Sequence, residues 1–271
     1  DDDGLAGGNA ASVTGDAADA NADSDSNEST FSGTLSFTAG GDTPVSVDFA
    51  KMDGETGAAV GQETVAYSWS SGTGVLTATI DDGGARNGTV LFTVTITDAA
   101  TGAYKVALLD NVIHADGGDE NDATAALMFT VTDNDNSTSD ADLTVTFDDD
   151  APTATDEAAQ DVSEGVTVTG TLDFVEGADG ASVTHIGATA LIFGVDDYSQ
   201  AIDIGSGSLK VKADGSYSYT ADNPVGNDPA VQDTATFTVT DGDGDTVDID
   251  ITFNLQDVNV PVAAASAALV D

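Results

Sequence analysis

The sequence predicts an all-β chain built as two tandem antiparallel β-sandwiches joined by a short acidic linker, and three observations predict it. Apolar residues recur with a period of two rather than 3.6, turn-forming Asp and Gly interrupt them at short intervals, and one long motif occurs twice. The alternation is plainest where Val90, Phe92, Val94 and Ile96 interleave with Leu91, Thr93 and Thr95. It recurs where Phe129 and Val131 interleave with Thr130 and Thr132, and from Val247 through Ile249, Ile251 and Phe253 to Leu255. Such runs are strands with one buried face. Further strands are expected at 31–37, 45–49, 64–69, 75–80, 104–109, 143–147, 166–174, 190–193, 208–212, 216–220 and 235–240. Hairpin chemistry separates them: "ATGA" at 100–103, "ADGS" at 213–216 and "DGDG" at 241–244 supply the Gly and Asp that tight turns need. Helix signals are nearly absent, and many short strands with frequent turns point to sandwiches.

The repeat sets the domain count. "FTVTDNDNSTSDADLTVTFDDDAP", from Phe129, matches "FTVTDGDGDTVDIDITFNLQDVNV", from Phe237, so that Asp133, Asp135, Asp140 and Asp142 fall on Asp241, Asp243, Asp248 and Asp250. Near the front of each half, "SGTLSF" at 32–37 corresponds to "TGTLDF" at 169–174. The expected division is therefore a longer module over 1–150, a second over 151–261, and a tail or linker to a following module over 262–271. The seam is "TFDDDAPTATDE", Thr146 to Glu157, where Pro152 interrupts strand pairing.

Composition bounds the function. Five Lys and Arg stand against 49 Asp and Glu, a net charge of −44, in a chain that is still 40% hydrophobic and so has the material for folded cores. That charge repels nucleic acid and anionic membranes and attracts cations. Most of the acids are Asp, which favours turns over helices, so the carboxylates are expected between strands. There is no cysteine, so neither disulfides nor thiolate metal sites are available. No stretch approaches ~18 apolar residues, so direct membrane insertion by a helix is not expected. The start, "DDDGLAGGNA", lacks the basic and apolar regions of a cleaved signal and reads as cut from something longer.

At "GLAGGN" (4–9), "GQETVAYSW" (61–69), "LLDNVIHADGGDENDATAALMFTVTD" (108–133) and "FDDDAPTA" (147–154) the chain resembles the long repeat modules of giant type I secreted repeats-in-toxin (RTX) adhesins of Gram-negative bacteria. Four separated motifs in order, over roughly residues 1–155, make the resemblance specific. The second half, "GSLKVKADGSYSYTADNP" (207–224) and "ATFTVTDGDGDT" (235–246), is similar to the cadherin-like repeats common in the same adhesins, a looser pattern. The resemblance implies an extracellular, calcium-stiffened chain of immunoglobulin-like sandwiches on the bacterial cell surface. The glycine-rich nonapeptide calcium repeats and the secretion signal of such proteins are not seen, which implies a middle piece.

Geometry leads to calcium by a second route. In an immunoglobulin-like sandwich the last two strands form a hairpin whose loop sits at the end where the chain enters. That places Asp241, Asp243 and Asp245 beside Asp148, Asp149 and Asp150, and two such clusters repel unless a cation lies between them. By the same logic Asp133 and Asp135 are expected near Asp1, Asp2 and Asp3, and Asp257 faces whatever follows. Ca²⁺ takes six to eight oxygen ligands, and extracellular modules bind it at ~0.1–1 mM.

Plainer readings stand beside these. D-x-D-x-D also occurs in solvated turns, and an EF-hand does not fit because a strand follows Asp245 and Thr252 stands where a bidentate Glu belongs. An Asp-rich, Lys-poor chain also suits a halophile, although that predicts scattered rather than clustered acids. The loop 114–124 offers Asp116, Asp119, Glu120 and Asp122 as a further calcium site or as a solvated loop. His114 and His185 sit in different modules, so packing or surface roles are expected for them. Trp69 and Tyr67 share a strand face and read as core before they read as a sugar platform. The expected function is a non-enzymatic, calcium-stiffened extender of a large adhesin in cell adhesion and biofilm formation. Its partners would be neighbouring modules of the same chain, with a surface glycan or peptide reached through other parts of the adhesin. The alternatives are a calcium-dependent carbohydrate- or peptide-binding module, which an exposed Tyr67 or Trp69 beside a groove would favour, or an accessory domain of a secreted hydrolase.

Overall fold

The structure, a computed structural model, describes residues 2–5, 8, 29–117, 121–223, 231–256 and 258. It is all-β, with no α-helix among the described residues, and divides into two compact immunoglobulin-like sandwiches. The first unit comprises Asp1–Thr153 together with Val175–Ala181 and Thr240–Thr246; the second comprises Ala154–Phe174, Ser182–Val239 and Val247–Asp271.

In the first unit β1 (Thr30–Thr34), β3 (Thr56–Val60), β4 (Glu63–Ser70), β5 (Val75–Ile80), β6 (Val90–Asp98) and β7 (Ala103–Leu108) form one sheet in the order β1-β7-β6-β5-β4-β3. The facing sheet is β2 (Ser46–Asp48), β8 (Ala123–Thr132) and β9 (Thr138–Phe147), in the order β2-β8-β9. The period-two pattern does what it predicts: alternate residues of β5 and β8 are buried, and Leu76, Ile80, Phe92 and Leu127 are sealed between the sheets. Phe92 of β6 meets Phe147 of β9 at 5.0 Å, an aromatic contact across the sandwich. Each such side chain contributes about 1.5–3 kcal/mol by leaving water.

In the second unit β11 (Gln160–Ser163), β14 (Ser182–Ile186), β15 (Thr189–Ala190), β19 (Gln232–Thr240) and β20 (Thr246–Gln256) form a sheet in the order β11-β20-β19-β14-β15. Opposite lie β12 (Thr167–Thr171), β16 (Ile202–Asp203), β17 (Gly207–Val211) and β18 (Ser216–Ala221), ordered β12-β18-β17-β16; β10 (Thr153–Thr155) pairs with β13 (Asp173–Val175). Phe237, Ile249, Ile251 and Phe253 are buried, and Tyr219 stacks on Phe253 at 3.9 Å. The β11–β20 ladder departs from the antiparallel expectation: it is parallel, Gln160 opposite Phe253, because the first strand of the sheet runs in the same direction as the last.

The repeat is structural as well as textual. Thr130 Oγ1 donates to Asp140 Oδ1 across β8–β9, and Thr238 Oγ1 donates to Asp248 Oδ1 across β19–β20, both at 2.8 Å. Gly33 of β1 faces Tyr104 of β7, and Gly170 of β12 faces Tyr217 of β18, so each tyrosine ring lies over a strand glycine. A Cβ on Gly33 would stand 2.6 Å from the Tyr104 hydroxyl, which is why glycine occupies a strand interior where it otherwise weakens the sheet.

Differences from expectation fall on short strands. The stretch expected at 166–174 splits into β12 and β13, and that at 190–193 contracts to β15 with an isolated bridge at Phe193. β3, β11 and β14 carry little or irregular apolar alternation and give no period-two signal.

Candidate metal centre

The first unit contains a carboxylate cluster assembled from three stretches of chain. The 241–245 turn builds its own scaffold: Asp241 Oδ1 accepts the N–H groups of Gly244 (3.0 Å) and Asp245 (2.7 Å), an Asx arrangement closed by Gly244 at φ +106°. With Asp241 so used, Asp243 and Asp245 are buried, 3% and 2% exposed. Asp149 is equally sealed, its Oδ1 accepting the Asp150 N–H at 2.8 Å. Asp179 arrives on the 175–181 segment, and glycine at 242 makes room for it: a Cβ there would stand 2.6 Å from Asp179 Oδ2.

Two ligand sets result. One carboxylate oxygen each from Asp149, Asp243 and Asp245 lie within 4.8 Å of one another, as do oxygens from Asp179, Asp241 and Asp243, so Asp243 belongs to both. Asp2 lies at the same place: it is 1% exposed, its Oδ2 accepts the Val112 N–H at 2.7 Å, and its N–H donates to the Asp148 carbonyl. His114 is fully buried, with its N–H donating to Asp243 Oδ2 at 3.0 Å and its Nδ1 donating to the Asn121 carbonyl. Its ring nitrogens stand 3.9 Å from Asp2 Oδ2 and from Asp149 Oδ2.

Electrostatics make this arrangement costly as it stands. Two carboxylates 4.8 Å apart repel by roughly 3–4 kcal/mol at an effective dielectric of about 20. Burial pushes Asp149 up to about 9, reinforced by Asp243 and Asp245; burial pushes Asp2 and Asp241 up to about 8, and Asp179 up to about 6. Burial also lowers His114, so the imidazole is held neutral and does not neutralise the acids. One oxygen each of Asp2, Asp149, Asp179 and Asp243 is buried with no hydrogen-bond partner. Buried polar atoms are normally paired, and carboxylates gathered this closely with oxygens left unpartnered fit a hard cation with oxygen ligands.

The structure thus brings Asp149 together with Asp243 and Asp245, and Asp241 into the adjoining set. Asp150, 4% exposed, lies against the 175–181 segment, its carbonyl packed on Gly177, and Asp148 bonds Asp2 through its own carbonyl. Asp133 and Asp135 do not join Asp2. They form the β8–β9 turn, whose geometry copies 241–245, with Ser137 N–H donating to Asp133 Oδ1 at 2.8 Å and Ser137 Oγ donating to Asp135. Asp2 is instead beside Asp148, at the opposite end of that ten-residue hairpin, roughly 30 Å away. The expectation assumed that the chain's first residues enter at the start of β1, but some 25 residues separate Gly4 from Thr30, enough to reach either end. Asp1, Asp119, Glu120, Asp257 and the side chain of Asp3 lie outside the described residues. In the 114–124 loop Asp116 accepts a bond from Gln62 at 2.8 Å, and Asp122 is one of the charges acting on His114.

Sequence reading missed Asp179; His114, expected to pack or lie at the surface, is fully buried beside the cluster. Asp179 sits in "EGADGA", a glycine-flanked acid with no periodic context, and its only signal was the small residue at 242 that admits it.

The Bacterial Ig domain family matches residues 149–254, in agreement with an immunoglobulin-like fold for the second unit. No curated protein matches the chain. Among solved structures, protocadherin gamma B2 extracellular cadherin domains 1–5 is 17% identical, over 68% of this chain and 35% of that one, with a TM-score of 0.28. Human CDH23 EC21–23 is 15% identical, over 84% and 70%, with a TM-score of 0.29. An endo-fucoidan hydrolase of glycoside hydrolase family 107 is 17% identical, over 59% and 25%, with a TM-score of 0.24. The chain spans about a third of the length of the protocadherin structure. These scores fall below those of chains sharing an overall fold, so the architecture rests on the strand pairing and the family match.

Proposed function

We propose that this chain is a calcium-stiffened, non-enzymatic extender segment of a large bacterial surface adhesin of the RTX type, acting outside the cell in adhesion and biofilm formation. The observation that carries the reading is the gathering of carboxylates in two overlapping sets, Asp149, Asp243 and Asp245 and Asp179, Asp241 and Asp243, with one buried oxygen each of Asp149, Asp179 and Asp243 left without a hydrogen-bond partner. Asp149, Asp243 and Asp245 would hold one Ca²⁺ and Asp179, Asp241 and Asp243 would border it or hold another. The ion supplies neutralising charge and an oxygen cross-link; it does no chemistry on a substrate. Its effect is to secure three separate stretches, 148–150, 175–181 and 240–246, within one compact unit. The match of 149–254 to bacterial Ig domains and the charge of −44 support an extracellular, cation-rich setting. Neighbouring modules of the same chain are its partners in this role.

Calorimetric titration with CaCl₂ tests it. Saturable binding with Kd about 0.1–1 mM is expected, weakened at least tenfold by Asp243→Asn, the residue common to both sets. Binding that this substitution leaves unchanged contradicts the assignment.

A further inference from the structure

We infer that a groove beside Trp69 in the first unit binds a neutral sugar unit of a glycan, independently of calcium. The groove measures about 560 Å³, and Trp69, Ile96, Asp48, Asp53, Ser71 and Thr73 line it. Tyr67, two residues earlier on β4, is wholly core; Trp69 is only partly buried, packed edge-on against Phe49 at 5.9 Å and otherwise lining the groove. An indole with an apolar neighbour offers the surface on which the C–H face of a pyranose packs, and carboxylates and hydroxyls at its rim accept and donate to sugar hydroxyls.

The polar groups are held in place. Asp53 Oδ1 accepts the Trp69 backbone N–H at 2.9 Å, Asp48 Oδ1 accepts the Ala50 backbone N–H at 3.0 Å, and Thr73 Oγ1 donates to Ser70 Oγ at 2.8 Å. A site fixed before binding loses less entropy when filled. Charge selects the ligand class: with two carboxylates in the groove and a net charge of −44, phosphorylated, sulfated or otherwise anionic ligands are repelled. The groove is also remote from the carboxylate cluster. Gln62, at the other end of β4, bonds the His114 carbonyl at 2.6 Å, which puts the two sites roughly 20 Å apart along the strand.

Trp69 is the chain's single tryptophan, so its emission reports on this groove alone. The test titrates cellohexaose, laminarihexaose, mannohexaose and chitohexaose separately into the whole chain, once with EDTA and once with CaCl₂. At least one is expected to change the emission saturably and equally in both buffers, with Kd about 0.1–10 mM. By calorimetry Trp69→Phe, which keeps the packing on Phe49, should weaken that binding about tenfold, and the exposed Thr73→Val about threefold. Two results overturn the inference: no response to any of the four, or binding that Trp69→Phe leaves unchanged. Binding seen only with CaCl₂ also overturns it, because it places the sugar at the carboxylate cluster. Since the EDTA arm does not depend on calcium binding, this inference and the proposed function fail separately.

Discussion

Without calcium, the protein should lose stability as pH rises from 5 to 8, the reverse of what a network of salt-bridged carboxylates gives. The raised groups at the cluster are Asp2, Asp149, Asp179 and Asp241, from 3.8 to about 8, 9, 6 and 8; His114, lowered from 6.5 by burial, opposes them only until pH reaches its ordinary 6.5, and they outnumber it. A carboxyl whose pKa is higher folded than unfolded makes the native state bind the extra proton. Its contribution is complete below about 3.8 and is lost as pH climbs through the folded value. The slope is about 1.4 kcal/mol per pH unit for each carboxyl kept protonated, so a single one spanning the window accounts for about 4 kcal/mol. Asp98, Asp135, Asp140 and Asp214, by contrast, are lowered through hydrogen bonds to Thr101, Ser137, Lys51 and Ser216. Their contribution disappears only as pH falls below the ordinary carboxylate range, outside the window. The assay is urea unfolding in EDTA at pH 5, 6.5 and 8, repeated with CaCl₂ and with Asp149→Asn. A fall of a few kcal/mol in EDTA is expected, flattened by calcium and by the substitution. Stability that is constant or rising across this window in EDTA refutes the reasoning.

Other expectations rest on single contacts. Tyr67 buries its hydroxyl with no hydrogen-bond partner, and burial pushes its pKa up to about 12, so Tyr67→Phe should leave stability unchanged or raise it by up to about 1 kcal/mol in urea unfolding. Asp233 is buried beneath the Tyr219 hydroxyl (2.6 Å) and the Ser206 N–H (2.9 and 3.0 Å); Asp233→Ala orphans both and should cost about 2–4 kcal/mol, measured by the same assay. Gly33→Ala forces a methyl into Tyr104, where the hydroxyl oxygen and the ring carbon that bears it would be 2.6 and 2.7 Å away, and should cost about 1–3 kcal/mol, with partial rescue by Tyr104→Leu.

Much of this architecture was legible because the sandwich writes its burial pattern into alternate residues. Leu76, Ala78 and Ile80 on β5, and Ile249, Ile251 and Phe253 on β20, are buried where the period places them. β14 was not legible, since its buried residues Val183 and Ile186 are three apart. At the cluster, the repeated hairpin led to Asp243 and Asp245, and the entry end of a sandwich led to Asp149. The same rule failed for Asp133 and Asp135 because position in sequence does not fix where Asp2 returns in space. The two turns differ in consequence more than in form: Ser137 and Asn136 replace Asp245 and Gly244, and in the first turn Ser137 satisfies Asp135 locally. Trp69 shows a further limit. Its alternation with Tyr67 marks a shared face, but only the groove around it distinguishes a partly exposed indole from a core one.

The central claim is that buried carboxylates in the first unit are completed by calcium. Thermal unfolding at pH 7.5 with 10 mM CaCl₂ against EDTA, with magnesium at equal concentration as control, tests it most directly. For Kd about 0.1–1 mM, mass action stabilises the folded state by about 1.4–2.7 kcal/mol per ion, or roughly 3–10 °C in Tm. The account predicts that rise with calcium, little with magnesium, and its loss in Asp243→Asn; a Tm indifferent to calcium contradicts it.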